Sequence, residues 1–284
     1  MSISTVMVVG AGQMGGGIAQ IMASVGKKTF INDVNIDVVN SRLQFIEKIL
    51  AKDVAKGKIN EQAKEAAMAN LIPSTDINDA ASCDIVIEAI VEDIELKDKL
   101  FTALDGLCKP GCILATNTSS LPITRIAAAT KRPGKVIGMH FMNPVPVMKL
   151  VELIRGLETS DDTYDAVKNL ALEVDKTPVE VRDVPGFISN RVLQVMINEA
   201  IYCLYEGVAT AEDIDTVMKL GMNHPMGPLQ VADLIGLDTV LSIINVLYEG
   251  YSDSKYRPCP LLKQYVTAGW LGKKSGRGFY VYDK

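Results

Sequence analysis

Hydrophobic and polar positions along the chain switch repeatedly between the period of a strand and that of a helix. Residues 3–9 are a short run rich in β-branched side chains that ends at Gly10, after which Ile18, Ile21, Met22 and Val25 recur with helical spacing. Further strands are predicted over 28–32, 84–90, 112–116, 136–139 and 178–182, with helices over 92–107 and 161–175 between them. Several of these strands are apolar throughout, as parallel strands covered on both faces by helices must be. Residues 147–155 alternate, and the alternation places Met148, Leu150, Glu152 and Ile154 on one face. Residues 36–69 are helical for longer than a single crossover needs, with a break near Gly57 and Asn60, which predicts an inserted helical hairpin. Beyond D-V-P-G at 183–186 strand alternation stops, and helices are predicted over 187–205, 211–220, 227–235, 237–248 and 260–268, followed by a glycine-rich tail. The pattern is that of an α/β protein: a Rossmann-type domain over 1–184 carrying the hairpin, then an all-α domain over 185–284.

The first strand-to-helix turn reads G-A-G-Q-M-G. Gly10, Gly12 and Gly15 have the spacing that allows a sharp turn, a close approach of backbone to a pyrophosphate, and close helix-on-strand packing; Gln13 and Met14 complete the turn. The helix that follows offers N–H groups and the positive end of its dipole to an anion. Asp33 ends the second strand, 18 positions after Gly15. A carboxylate there accepts hydrogen bonds from ribose hydroxyls and repels a 2′-phosphate, which favours NAD over NADP. In such sheets ligands sit beyond the C-terminal strand ends, so residues 89–92, beginning at Ala89, and 117–120 are placed to line a cofactor and its substrate.

The strand over 136–139 delivers His140 to that same side. It is one of two histidines in 284 residues, and histidine is the side chain that most readily exchanges a proton near neutral pH. Glu152, on an otherwise apolar face, needs a partner: His140, whose tautomer it would fix, or a Lys or Arg. Asn190 heads the apolar face of Leu193, Ile197, Ile201 and Leu204, where an amide serves as a helix cap, a core hydrogen bond or a substrate contact. Lys48, Lys52 and Lys56 stack on one helix face, with Lys58 following; the stripe either lies in open solvent or meets the phosphates of an anionic substrate. His224, in N-H-P-M-G between helices, is read as structural.

Composition narrows the field. A net charge of -5 argues against nonspecific nucleic-acid binding. No apolar run reaches membrane-spanning length, and the chain enters a strand without a leader-like segment, so a cytoplasmic protein with no membrane association is expected. Cys83, Cys108, Cys112, Cys203 and Cys259 are scattered and lack CxxC spacing, so reduced thiols are expected and no metal site.

G-A-G-Q-M-G at Gly10, N-T-S-S-L-P at Asn117, H-F-M-N-P-V-P at His140, K-L-V-E at Lys149 and D-V-P-G-F-I-S-N-R at Asp183 together resemble the short-chain L-3-hydroxyacyl-CoA dehydrogenases. The likeness extends through M-K-L-G at Met218, P-M-G-P at Pro225, G-L-D-T at Gly236 and the closing G-K-K-S-G-R-G-F-Y at Gly272. One departure is Met142, where the family usually has Phe. The resemblance implies His140 as base, Glu152 as its orienting partner, and Ser119 and Asn190 as the groups that bind the substrate oxygen. It implies NAD contacts from Asp33, Glu92, Lys97, Asn117 and Asn143 and a short-chain acyl-CoA substrate; because coenzyme A carries several phosphate charges, the docking reading of Lys52 and Lys56 then stands level with the solvated one. For Lys97 the sequence by itself suggests a solvated charge. The apolar faces of the helical half suggest a homodimer. Two rivals stand beside this reading: a dehydrogenase of the same fold acting on a free hydroxy or sugar acid, as lambda-crystallin-like relatives do, and a noncatalytic NAD-binding protein.

Overall fold

In the computed structural model, which describes residues 3–282, the chain divides into two units, Met1–Asp183 and Val184–Lys284. The first holds β1 (Thr5–Val9), β2 (Lys28–Asn32), β3 (Leu71–Ser74), β4 (Ile85–Glu88), β5 (Ile113–Thr116), β6 (Val136–Phe141), β7 (Leu150–Arg155) and β8 (Thr177–Arg182). They form one sheet in the order β3-β2-β1-β4-β5-β6-β7-β8, a doubly wound arrangement with its topological switch between β1 and β4. Pairing is parallel from β3 through β6, antiparallel between β6 and β7, and parallel again between β7 and β8. The C-terminal ends of the first six strands therefore share one edge with the N-terminal end of β7.

Helices α1 (Gln13–Ser24), α2 (Ile36–Ala55), α3 (Glu61–Ala69), α4 (Ile94–Leu107), α5 (Ile123–Ala128) and α6 (Asp161–Glu173) accompany the sheet. Most of them start where a side chain can accept from a backbone N–H that the helix leaves unpaired: Asn35 caps α2, Asn60 caps α3, Asp93 caps α4 and Ser160 caps α6. Helices α1 and α5 lack a side-chain cap, with Gly12 and Pro122 at their N-caps. Helices α2 and α3 are the arms of the inserted hairpin, joined through Gly57 at φ +68°. The core of this unit is built from Val6, Val8, Ile18, Ile31, Ile85, Ile113 and their neighbours.

Four local expectations are corrected. Strand β6 continues through Phe141, so His140 lies within the strand rather than after it, because residues 140 and 141 still find partners on β7. Strand β7 begins at Leu150; Val147 and Met148 instead fold back to the Pro144 carbonyl, so Met148 leaves the face it was expected to share with Glu152. An edge strand, β3, forms at Leu71–Ser74, where Pro73 is tolerated because an edge needs fewer ladder donors. The short helix α5 follows Pro122 where no helix was expected.

The second unit contains α7 (Ser189–Tyr205), α8 (Ala211–Gly221), α9 (Pro228–Ile235), α10 (Leu237–Tyr251) and α11 (Pro260–Thr267). Ile197, Ile201, Leu229, Val240 and Leu262 anchor its separate core. Its glycine-rich tail is bound by two buried carboxylates. Asp233 accepts from the Phe279 and Tyr280 amides and the Tyr282 hydroxyl, while Asp215 accepts from the Leu229 and Gln230 amides and the Tyr280 hydroxyl. A Cβ at Gly278 would lie 2.0 Å from the Asp233 carboxylate, which explains the glycine there.

Candidate active site

At the C-terminal end of β1 the chain turns through Gly10 at φ +103° and enters α1. A side chain on Gly10 would meet the Ala89 carbonyl at 2.5 Å, and one on Gly15 would meet the Gly10 carbonyl at 1.8 Å, so the fold itself requires both glycines. Gly12 differs: a Cβ there meets nothing within 4 Å. The protein's own packing does not require that glycine, whereas a phosphate group resting on the uncapped start of α1 would. Beside the turn is a cavity of about 730 Å³ lined by Gly10, Gly12, Asp33, Ala89 and Leu96, among others. One Asp33 carboxylate oxygen accepts from the Ala11 amide at 2.9 Å, which fixes the acid against the glycine turn. Gln13, next on α1, donates from its amide to Asn143 at 3.0 Å, and Met14 packs against the core. These residues fit a dinucleotide.

Around the corner of the same sheet edge, the antiparallel register sets His140 on β6 opposite Glu152 on β7. Their side chains meet, Nδ1 to Oε2, at 2.8 Å, and both are buried. Glu152 therefore has the imidazole as a partner. The carboxylate engages the ring at Nδ1 and not at Nε2. Asn117, at the end of β5, accepts from the Phe141 amide at 3.0 Å and so braces the strand that carries His140.

Ser119 follows Asn117 and is held by Glu92, whose carboxylate accepts from the Ser119 amide at 2.9 Å and from the Thr118 and Ser120 hydroxyls. Burial pushes the Glu92 carboxyl up, but the Lys97 ammonium, the Thr118 hydroxyl and the Ser119 amide outweigh it and hold the group below the ordinary glutamate value. Lys97 is not a solvated charge. It is 1% exposed, with its ammonium 2.5 Å from Glu88 and 3.3 Å from Glu92.

The first unit thus gathers Gly10, Gly12, Asp33, Ala89, Glu92, Lys97, Asn117, Ser119, His140, Asn143 and Glu152 on its ligand edge. Asn190 belongs to the second unit and lies in the first turn of α7, half-buried. Lys48 and Lys52 lie exposed on α2 and Lys56 is exposed just after its end, while Lys58 pairs with Asp53 at 3.2 Å. The backbone amide of His224 bonds to the Met218 carbonyl in a turn after α8. Glu88 escaped the sequence reading; the available signal was an acid inside the apolar strand D-I-V-I-E-A-I, nine positions ahead of a lysine.

Comparison with known proteins agrees with this geometry. Residues 5–184 match the 3-hydroxyacyl-CoA dehydrogenase NAD-binding domain, and residues 186–282 match the 3-hydroxyacyl-CoA dehydrogenase C-terminal domain. The chain is 60% identical to a probable 3-hydroxybutyryl-CoA dehydrogenase of Bacillus subtilis over 284 residues, covering 100% of this chain and 99% of that one. It is 54% identical over 280 residues to a 3-hydroxybutyryl-CoA dehydrogenase of Bradyrhizobium diazoefficiens, covering 99% of this chain and 96% of the other. The crystal structure of (S)-3-hydroxybutyryl-CoA dehydrogenase from Ralstonia eutropha superposes with a TM-score of 0.98 at 49% identity, with both chains fully covered. The two domain matches follow one another along almost the whole chain, with the division between them where the two units divide, and this chain belongs to the 3-hydroxyacyl-CoA dehydrogenase family.

Proposed function

We propose that the chain is an (S)-3-hydroxybutyryl-CoA dehydrogenase, interconverting a short-chain 3-hydroxyacyl-CoA and its 3-keto form, with NAD(H) preferred over NADP(H). The observation that carries this reading is the His140–Glu152 pair at 2.8 Å, on the same sheet edge as the glycine turn and Ser119. When bound, NAD would supply the acceptor for the hydride released from C3 of the hydroxyacyl group. His140 takes the hydroxyl proton at Nε2 as that hydride leaves, and Glu152 at Nδ1 stabilises the imidazolium that forms. In the reducing direction the same imidazolium returns the proton to the carbonyl oxygen. Ser119 and Asn190 donate hydrogen bonds to the oxygen on which charge develops, each worth about 3 kcal/mol of barrier in comparable sites. Gly12 and the start of α1 receive the pyrophosphate, and Asp33 accepts from the ribose hydroxyls and disfavours a 2′-phosphate. Gln13, Met14, Ala89, Glu92, Lys97, Asn117 and Asn143 complete the nucleotide's surroundings.

Lys52 and Lys56 meet the phosphates of coenzyme A in this reading, so reversing their charge should raise KM for the thioester and change its salt dependence. A homodimer is part of the proposal as well: Val192, Val217, Leu220 and Leu234 of the second unit are large, apolar and exposed. Sedimentation at micromolar concentration tests it.

The decisive assay follows nucleotide absorbance during reduction of acetoacetyl-CoA with NADH and NADPH in parallel, with free acetoacetate as control. NADH with the thioester should give the fastest turnover. Preference for the free acid would overturn the substrate reading, and preference for NADPH would overturn the role given to Asp33.

A further inference from the structure

Glu88 is the last residue of β4 and is fully buried, a position where an ionised acid needs close partners. Its Oε1 accepts from the Lys97 ammonium at 2.5 Å and from the Ile90 amide at 2.7 Å, and its Oε2 accepts from the Thr116 hydroxyl at 2.6 Å. The same Lys97 nitrogen is 3.3 Å from Glu92, whose other oxygen holds the Ser119 amide. Two carboxylates therefore share one ammonium, and the buried one has the shorter contact. As a contribution to folding such a pair is weak, because desolvating both charges offsets most of their attraction and neutral groups of the same shape would serve as well. As a device for placement it is strong: the ammonium cannot move toward Glu92 without leaving Glu88, and Glu92 completes its hydrogen bonding with the 118–120 segment.

We propose that Glu88 is a positioning residue for the dehydrogenase, fixing Lys97 and through it the carboxylate of Glu92 and the backbone of Ser119. It touches neither substrate nor nucleotide in this reading, which rests on the function proposed above. Glu88→Gln keeps the shape and removes the charge. Lys97 then closes on Glu92, Glu92 turns from the Ser119 amide, and the nucleotide edge loses its alignment while the thioester end of the site is untouched.

The test compares wild type, Glu88→Gln, Lys97→Met and the double variant. NADH dissociation constants come from fluorescence titration, and kcat with both KM values comes from acetoacetyl-CoA reduction. Glu88→Gln should lower kcat/KM for NADH by about tenfold, the equivalent of one charge-assisted hydrogen bond, and raise KM for acetoacetyl-CoA by less than that, because Ser119 is only one of the groups that meet the substrate. The double variant should bind NADH no more weakly than Lys97→Met alone, because Glu88 acts through that lysine. Wild-type NADH affinity in Glu88→Gln, or a double-variant loss equal to the product of the two single losses, overturns the proposal. If Glu88→Gln fails to fold, the double variant, which buries no lone charge, still decides the matter against Lys97→Met. A wild-type enzyme without acetoacetyl-CoA turnover would sink the assigned reaction instead, and the NADH titrations, which need no substrate, would still test the link between Glu88 and Lys97.

Discussion

In the first unit the buried acids Glu88 and Glu152 meet nitrogen groups that can carry charge, Lys97 and His140, whereas in the second unit Asp215 and Asp233 are held by backbone amides and tyrosine hydroxyls. Burial pushes the Asp233 carboxyl above its ordinary value despite three hydrogen bonds, and burial together with the Asp215 hydrogen bond pushes the Tyr280 hydroxyl up. In the first unit the Lys97 ammonium helps to pull Glu92 the other way. The contrast separates two uses of a buried acid. Neutral donors make a staple whose geometry does not depend on the protonation of its partner. A carboxylate facing an ammonium or imidazole ties geometry to protonation, which suits a site where a proton is exchanged.

The contrast between the two units is tested most severely at His140. His140→Gln should lower turnover by about a thousandfold or more, with NADH affinity retained; substantial residual turnover in steady-state assays would remove the histidine from the chemistry. Glu152→Gln should cost about a hundredfold in turnover with NADH affinity retained, since the imidazolium formed in the reaction loses its support. Wild-type turnover in that variant would mean that Glu152 is only a packing group. On the other side, Asp233→Asn should destabilise the second unit by about 1–3 kcal/mol, through lost acceptors for the tail, and leave NADH affinity intact. Urea unfolding followed at Trp270, the single tryptophan, reads that unit.

The smallest expected effect is on acid stability. Burial pushes Asp84, Glu92 and Asp105 up, but Lys109, Lys97 and Arg132 with neighbouring amides hold all three below their ordinary values. For acids so depressed, the stabilisation is in place above the unfolded-state value near 4 and is lost as pH falls through the folded value. Asp233 is raised, so its contribution has the opposite sign: it favours the fold at low pH and fades as pH rises through its folded value. Asp238 is depressed by Lys274 at the surface of the second unit, where solvent screens the pair. NADH binding should therefore fail at a higher pH than the Trp270 signal in a parallel acid titration, and coincident transitions would contradict the contrast.

Hydrophobic period was enough to read most of the sheet, because parallel strands buried on both faces must be apolar and the helices between them must be amphipathic. It failed at β3, where four residues including Pro73 carry too little pattern, and at Met148, where alternation continued past the true start of the strand. His140 and Glu152 were legible because a polar group in an apolar strand demands a partner. The Glu88–Lys97–Glu92 arrangement was not: nine residues and a turn separate Glu88 from Lys97, and the loop holding Ser119 is 27 residues from Glu92, so their meeting depends on tertiary packing alone.

The reversal of direction between β6 and β7 has one more consequence. Because His140 and Glu152 face each other across a ladder of backbone hydrogen bonds, sliding either strand by one residue would turn one of the pair to the opposite face of the sheet. The pair is thus as stiff as the sheet itself. In the proposed reaction imidazole and carboxylate would stand in their reacting arrangement before substrate arrives, so little reorganisation of this dyad would contribute to the barrier, and amide exchange at residues 139–141 should be among the slowest in the molecule.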